Sequence, residues 1–404
     1  MVRATARGVE AAAETGAGQQ QADAASPVRL GFGHILADPP IDVPAGPDML
    51  TVTFRSALRA LALIACHGLA GAADAPAGLA YVSNQNGDVS VIDLATLEIS
   101  REISAFGKEP RGIGVTADGK WLVLANRAGG KLTVIDRVSG RLLRHIAIGA
   151  NPEFVRTRGR FAFVSFEPTS SGKAPPKEGS APADGKQDEA GGEPARIAVV
   201  DLARGRVLRS IKGGLQTEGI EFAADGRHML VTNEEDNSVT VHRIADGALV
   251  KTIDTRAYGE RPRGIKMSPD GRHYVATIEQ GNAFVVLDAA YKVVKSVKTG
   301  ISPYGVSFDR AGQRLFVASA RSKTLQVFDA DSFVPIKDVA TGERCWHFSF
   351  TPDDRHILLA CGRSNEVLVI DSRTLEVVKR IADAKMPWGV VTYPKAMGSL
   401  DRPE

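Results

Sequence analysis

From Tyr81 onward, one block of residues keeps returning. Copies begin at Tyr81, Trp121, Phe161, His228, His273, Arg314 and Arg355, and the last closes near Pro394. The spacing is about 40 residues in every copy but the third and fourth, the third being much longer because of an insertion. A unit this short cannot bury an apolar face alone, so a chain built this way has to stack its units against one another.

Each copy reads alike. A short apolar strand comes first, as in "YVSN", "LVTN" or "FVAS", followed by a polar turn. An alternating strand ending in Asp comes next ("VSVID", "LTVID", "VLVID"), and only the fourth copy departs, with "VTVHR". A third strand such as "EISREI" follows. The last strand is entered through Pro-x-Gly or a variant. Period-two alternation broken by Gly, Asp and Asn turns predicts short antiparallel strands. Four strands per unit at this period predict blades, so the expected fold is an all-β, seven-bladed β-propeller over residues 77–394. The first copy starts on a second strand and the last ends on a first-type strand, "WGVVTYP". The C-terminal strand should therefore pair with the strand near Leu79 and close the ring without an open edge.

Tyr81-Val82-Ser83-Asn84, followed by Gly87 and Val91-Ile92-Asp93, resembles the signature of the YVTN family of seven-bladed propellers, and the resemblance runs over residues 79–394. It implies the fold, while related propellers carry unrelated activities. The family is similar to the haem-binding propeller of dissimilatory nitrite reductases and to the methylamine dehydrogenase heavy chain. It also includes exported proteins associated with quinone-dependent alcohol oxidation, and the closing "PWGVVTYP" looks most like that group. The resemblance thus implies a periplasmic redox setting, with a haem-like tetrapyrrole or a quinone as candidate cofactors. It also implies that the Pro-x-Gly strand is the innermost of each blade.

That placement puts the middle residue of Pro-x-Gly at the channel mouth once per blade. Aligning "EPRGI", "NPEFV", "QTEGI", "RPRGI", "SPYGV", "RCWHF" and "MPWGV" yields Arg111, Glu153, Glu218, Arg263, Tyr304, Trp346 and Trp388. Aromatics flanked by guanidinium groups suit a planar, anionic guest, since rings stack and Arg forks hold carboxylate or phosphate. The competing reading is that Arg111 and Arg263 pair with Glu153 and Glu218 while the aromatics plug the channel. In the seventh blade Cys345 replaces the proline and His347 the glycine. His347 is the candidate axial ligand or acid/base, although strict strand alternation turns it away from Trp346 and packs it between blades.

Other features have simpler readings. The strand-ending Asp93, Asp136, Asp201, Asp288, Asp329 and Asp371 repeat as turn caps do. His228, His273 and His356 open strands on the other face, too dispersed for a metal. The insertion 167–195, rich in Pro, Gly, Lys and Glu, is expected to be flexible, either a lid over the mouth or a passive loop. Residues 395–404 are read as a tail. The three cysteines form no C-x-x-C, and Cys345 and Cys361 can pair in an oxidising compartment or remain packed thiols.

Residues 1–48 have the composition of a disordered or mis-started extension. Residues 49–72 have the anatomy of a secretory signal peptide: Arg55 and Arg59, an apolar run from Ala60 to Leu69, then Ala70-Gly71-Ala72. The run is too short to span a bilayer. A lipoprotein box at Leu63-Ile64-Ala65-Cys66, anchoring the chain through Cys66, and a mitochondrial-type presequence are the alternatives. The expected location is periplasmic or secreted. A net charge of +3 on 50 basic and 47 acidic residues gives no general pull toward nucleic acid or membrane. With no nucleophile elbow, Walker loop or H-E-x-x-H motif, the expectation is an exported binding or accessory protein. Its partner would be a small anionic or aromatic molecule or a periplasmic protein. A cofactor-carrying redox enzyme, a lactonase-type hydrolase and a single-stranded nucleic-acid scaffold are the rivals.

Overall fold

The computed structural model describes residues 78–167 and 193–404. The readings for residues 1–48, the signal segment 49–72, Cys66 and most of the insertion lie outside the described residues. Among the described residues, twenty-eight strands, numbered in chain order from β1 (Leu79–Asn84) to β28 (Pro387–Tyr393), form seven four-stranded antiparallel sheets. The chain is a seven-bladed β-propeller. In blade 1, β28 pairs with β1, Leu79 opposite Tyr393, so the ring closes as the sequence predicts.

The innermost strands are β4 (Lys108–Val115), β8 (Pro152–Arg158), β12 (Thr217–Phe222), β16 (Pro262–Met267), β20 (Pro303–Phe308), β24 (Cys345–Phe350) and β28. Each packs beside the innermost strand of the next blade. Alternating apolar residues on the second and third strands of each blade fill the gaps between blades. Phe284, Phe316, Phe328 and Phe350 meet edge to face in blades 5 to 7.

Every innermost strand carries a one-residue irregularity at the same place. Pro262 faces Ile278 while Ile265 faces Ala276, and β4, β8, β12, β20 and β24 show the same shift. This is a β-bulge, and it breaks strict alternation. The residue entering each bulge lies in left-handed backbone: Glu109, Asn151, Gln216, Arg261, Ser302, Arg344 and Met386 all have φ between 47° and 64°. None is glycine, so each holds a conformation that costs free energy and persists only because the fold fixes it. The glycine after the mouth residue lets neighbouring inner strands approach closely. A Cβ on Gly264 would stand 2.4 Å from the Tyr304 carbonyl oxygen, and one on Gly305 2.3 Å from that of Trp346.

The last ten residues are part of the body. Ala396, Met397, Leu400 and Asp401 are buried. Phe350 N–H donates to the Met397 carbonyl at 2.7 Å, and Ser399 N–H to that of Phe348 at 2.9 Å. Residues 395–404 are therefore not a tail: the segment packs on the inner strands and covers polar groups of theirs. The turn-capping aspartates behave as expected. Asp93, Asp136, Asp201, Asp288, Asp329 and Asp371 each accept from a backbone N–H two to four residues on.

Candidate functional site

The bulge explains how the mouth residues are aimed. In blades 1, 3, 4 and 5 the backbone N–H just after the mouth residue donates to a hydroxyl on the second strand. Gly264 N–H donates to Thr277 Oγ1 at 2.9 Å, and that hydroxyl donates to the Tyr304 carbonyl of the next blade at 2.7 Å. Thr232 and Ser83 make the same relay, to the carbonyls of Arg263 and Arg111. Each relay satisfies a buried donor and ties one mouth residue to its neighbour.

All seven expected mouth residues line one cavity of about 110 Å³: Arg111, Glu153, Glu218, Arg263, Tyr304, Trp346 and Trp388. A second ring lies among them, from the residue that follows the opening strand of each copy: Gln85, Arg127, Glu167, Glu234 and Glu279. The same phase argument applied one position past "YVSN" would have found it. At the two matching positions in blades 6 and 7 stand Ala320 and Gly362. The smallness of Gly362 has a purpose, since a Cβ there would lie 1.9 Å from the Trp346 ring. With Arg261 and Arg344 the cavity wall holds five arginines and five glutamates.

Those charges are largely paired with one another. Arg111 pairs with Glu153. Arg263 pairs with Glu218, Glu234 and Glu279, and Arg261 with Glu234 and Glu279. Tyr304 donates its hydroxyl to Glu218 at 3.3 Å, and the Arg263 guanidinium lies 4.9 Å from the Tyr304 ring centre. The internal pairing weighed against an anion site is thus present. Arginine forks already on carboxylates offer little to an anionic guest, whereas the acidic side keeps spare acceptors. Glu153 Oε2 and Glu167 Oε1 are buried without a hydrogen-bond partner. Burial raises the affinity of both carboxyls for a proton. Glu167 lies well above the usual range, pushed further by Glu153 and Glu218. Burial acts on Glu279 in the same sense, but Arg263 and Arg261 outweigh it and hold that carboxyl below the usual range.

His347 is not packed between blades, contrary to the alternation argument. The bulge between Cys345 and Phe348 turns it inward. Its ring centre lies 4.3 Å from that of Trp388, 5.3 Å from Tyr304 and 6.3 Å from Phe154. Nδ1 is 3.1 Å from Ser399 Oγ, and Nε2 is buried without a partner. Burial pushes its pKa down to about 3, so the ring is neutral at ordinary pH. His347 does not line the mouth cavity. The cavity is also well below the roughly 300 Å³ at which cofactor-sized pockets begin. A tetrapyrrole is larger than this cavity, and His347 is not on its wall.

Cys345 and Cys361 form a disulfide joining β24 to β25 (His356–Cys361). Cys361 holds the position of Asn84, Asn126 and Asn233 in other blades. There Asn126 and Asn233 tie the inner-strand entrance or its neighbouring loop to the sheet by hydrogen bonds. In blade 7 a covalent bond replaces that amide. Among the described residues no group of three or more His, Cys, Asp or Glu stands where it could hold a metal ion. No described helix is long and apolar enough to cross a membrane.

Residues 65–161 match the family model of YNCE-like β-propellers, and residues 195–293 match that of the seven-bladed β-propeller lactonases. The chain is a β-propeller protein. Neither match spans half of it. Hydrazine synthase from Kuenenia stuttgartiensis shares the fold at 19% identity and a TM-score of 0.60, over 72% of this chain and 91% of that one. A functionally unknown protein from Desulfotomaculum acetoxidans does so at 17% and 0.64, over 81% and 99%. A candidate 6-phosphogluconolactonase from Bacteroides uniformis does so at 14% and 0.62, over 78% and 99%. Identities this low speak for the fold alone. No curated protein matches the sequence.

Proposed function

We propose that this propeller is an exported binding protein whose channel mouth captures a small guest carrying a flat apolar body and an N–H or O–H donor. The observation that carries this reading is the pairing of two walls in one cavity. Tyr304, Trp346 and Trp388 stand on adjacent blades, and Glu153 and Glu167, each with an unpartnered buried oxygen, stand on blade 3. A ring would stack on the aromatic arc while its donor satisfies Glu153. An ammonium group would also supply the charge that lets Glu167 ionise. The Cys345–Cys361 disulfide suits an oxidising compartment and so supports export.

The test is tryptophan fluorescence of the full chain titrated with benzylammonium. Two of its three tryptophans line the mouth. A saturable change that tightens as pH rises and is lost in Glu153→Gln and Trp388→Leu supports the proposal. A flat titration, or one indifferent to both substitutions, rejects it. A lactonase reading has the match over residues 195–293 in its favour, but the mouth offers it paired charges and no metal-ligand set among the described residues.

A further inference from the structure

Three residues beyond Glu153, Glu218 and Arg263 the innermost strands place Arg156, Glu221 and Lys266, all buried. Arg156 donates to Glu221 at 2.9 Å and to the Leu400 carbonyl at 2.6 Å, and Lys266 donates to the Asp401 carbonyl at 3.0 Å. The C-terminal segment is thus docked on a charged layer of its own, away from the mouth. Beside it lies a separate cavity of about 310 Å³. Its apolar surface comes from Phe222, Ala223 and Ala224, and its charged surface from Arg156, Arg158 and Arg402 together with the carboxylates of Asp401 and Glu404.

The charges here are not balanced. Arg156, Arg158, Lys266, Lys395 and Arg402 face Glu221, Asp401 and Glu404. Lys395 engages the last two, at 3.1 Å and 2.8 Å. Arg158 makes no ion pair among the described residues. One of its nitrogens donates to the Gly226 carbonyl at 2.9 Å, and its guanidinium lies 5.2 Å from the Phe222 ring centre. Among the described residues the Arg402 guanidinium makes neither an ion pair nor a hydrogen bond, though it is near enough to Glu221 to favour that carboxylate's charge. Arg156 is 2% exposed, and its Nε is a buried donor with no acceptor.

We infer that this cavity is a second binding site, for a small organic oxyanion with a flat apolar body. Arg158 and Arg402 present guanidinium forks to the oxyanion, and the body lies along Phe222 and the two alanines. The volume is at the lower end of the range for small-molecule sites. The site joins blades 3 and 4 to the C-terminal segment, so its ligand also fastens that segment.

Calorimetry on the full chain tests this with benzoate and phenyl phosphate as probes and inorganic phosphate as the control without a body. Both organic probes should bind, more weakly as salt rises. Arg402→Gln should weaken them at least tenfold, since one charge-assisted fork is worth about 1.5–3 kcal/mol and 1.4 kcal/mol is tenfold. Arg111→Gln at the mouth should leave them unchanged. The tighter of the two organic probes identifies carboxylate or phosphate as the preferred head. The inference is overturned by any of three results: no heat from either organic probe, phosphate binding as tightly as phenyl phosphate, or Arg402→Gln binding like wild type while retaining its melting temperature.

Discussion

Replacing Arg263 with Met should be among the most damaging single changes at the mouth. The guanidinium touches Glu218, Glu234 and Glu279, whose side chains are 8%, 2% and 12% exposed. Without it, Glu234 and Glu279 keep Arg261, and Glu218 is left with the Tyr304 hydroxyl and no arginine in contact among the described residues. Removing one partner from a buried charge cluster costs about 3–5 kcal/mol, because the remaining charges stay desolvated. That is a large share of the 5–15 kcal/mol typical of folded domains. The assay is urea unfolding at pH 7, reading the midpoint at constant slope. The pH dependence follows from the same cause. In wild type Glu279 is held below its usual range, so it contributes stability above an unfolded value of about 4.3 that is lost as pH falls through its folded value. In the variant the orphaned glutamates have raised values and oppose folding only above about pH 4.3. The two proteins should therefore converge on acidification. Arg310→Ala, which breaks an exposed pair with Asp354, should cost at most about 1 kcal/mol. A loss below 1 kcal/mol for Arg263→Met, or a loss as large at pH 4 as at pH 7, refutes the reasoning.

Three more outcomes are expected. Reducing the Cys345–Cys361 bond, or replacing both residues by Ser, opens a loop with a sequence separation of 16 and should cost about 3 kcal/mol; an unchanged melting temperature under dithiothreitol contradicts this. His347 has a folded pKa of about 3 against about 6.5 unfolded, so its contribution is complete above pH 6.5 and is lost toward pH 3, by up to about 1.4 kcal/mol per pH unit. His347→Gln should flatten that slope, and an imidazole that titrates near 6.5 by NMR counts against it. Gly362→Ala must push the Trp346 indole aside and should cost about 1–3 kcal/mol with a shifted emission maximum; unchanged emission would show that the ring was not packed there.

Blade number, strand order and ring closure were legible because each rests on a pattern repeated seven times. Tyr81-Val82-Ser83-Asn84 and its counterparts fix register wherever one face is buried. The seven mouth residues could be found for the same reason, since one phase sets them all. The direction of His347 could not. It depends on a bulge, and a bulge leaves no trace in alternation until strand pairing is known. The second ring, from Gln85 to Glu279, is present in the sequence but lies one position outside the repeated motif. The docking of residues 395–404 is not legible in the sequence because Ala396 to Asp401 has no periodicity of its own. Its burial depends on Arg156, Lys266 and Ser349, far away in sequence. Charge pairing was open until Arg263 and its three carboxylates were placed in space, because composition counts charges without saying which ones meet.

The most direct measurement is a crystal structure of the chain grown with benzylammonium. The account predicts the ring against Trp388 and Trp346 and the nitrogen within about 3.2 Å of Glu153 Oε2 or Glu167 Oε1. A mouth occupied only by water, or a guest bound on the outer edge of the blades, contradicts it.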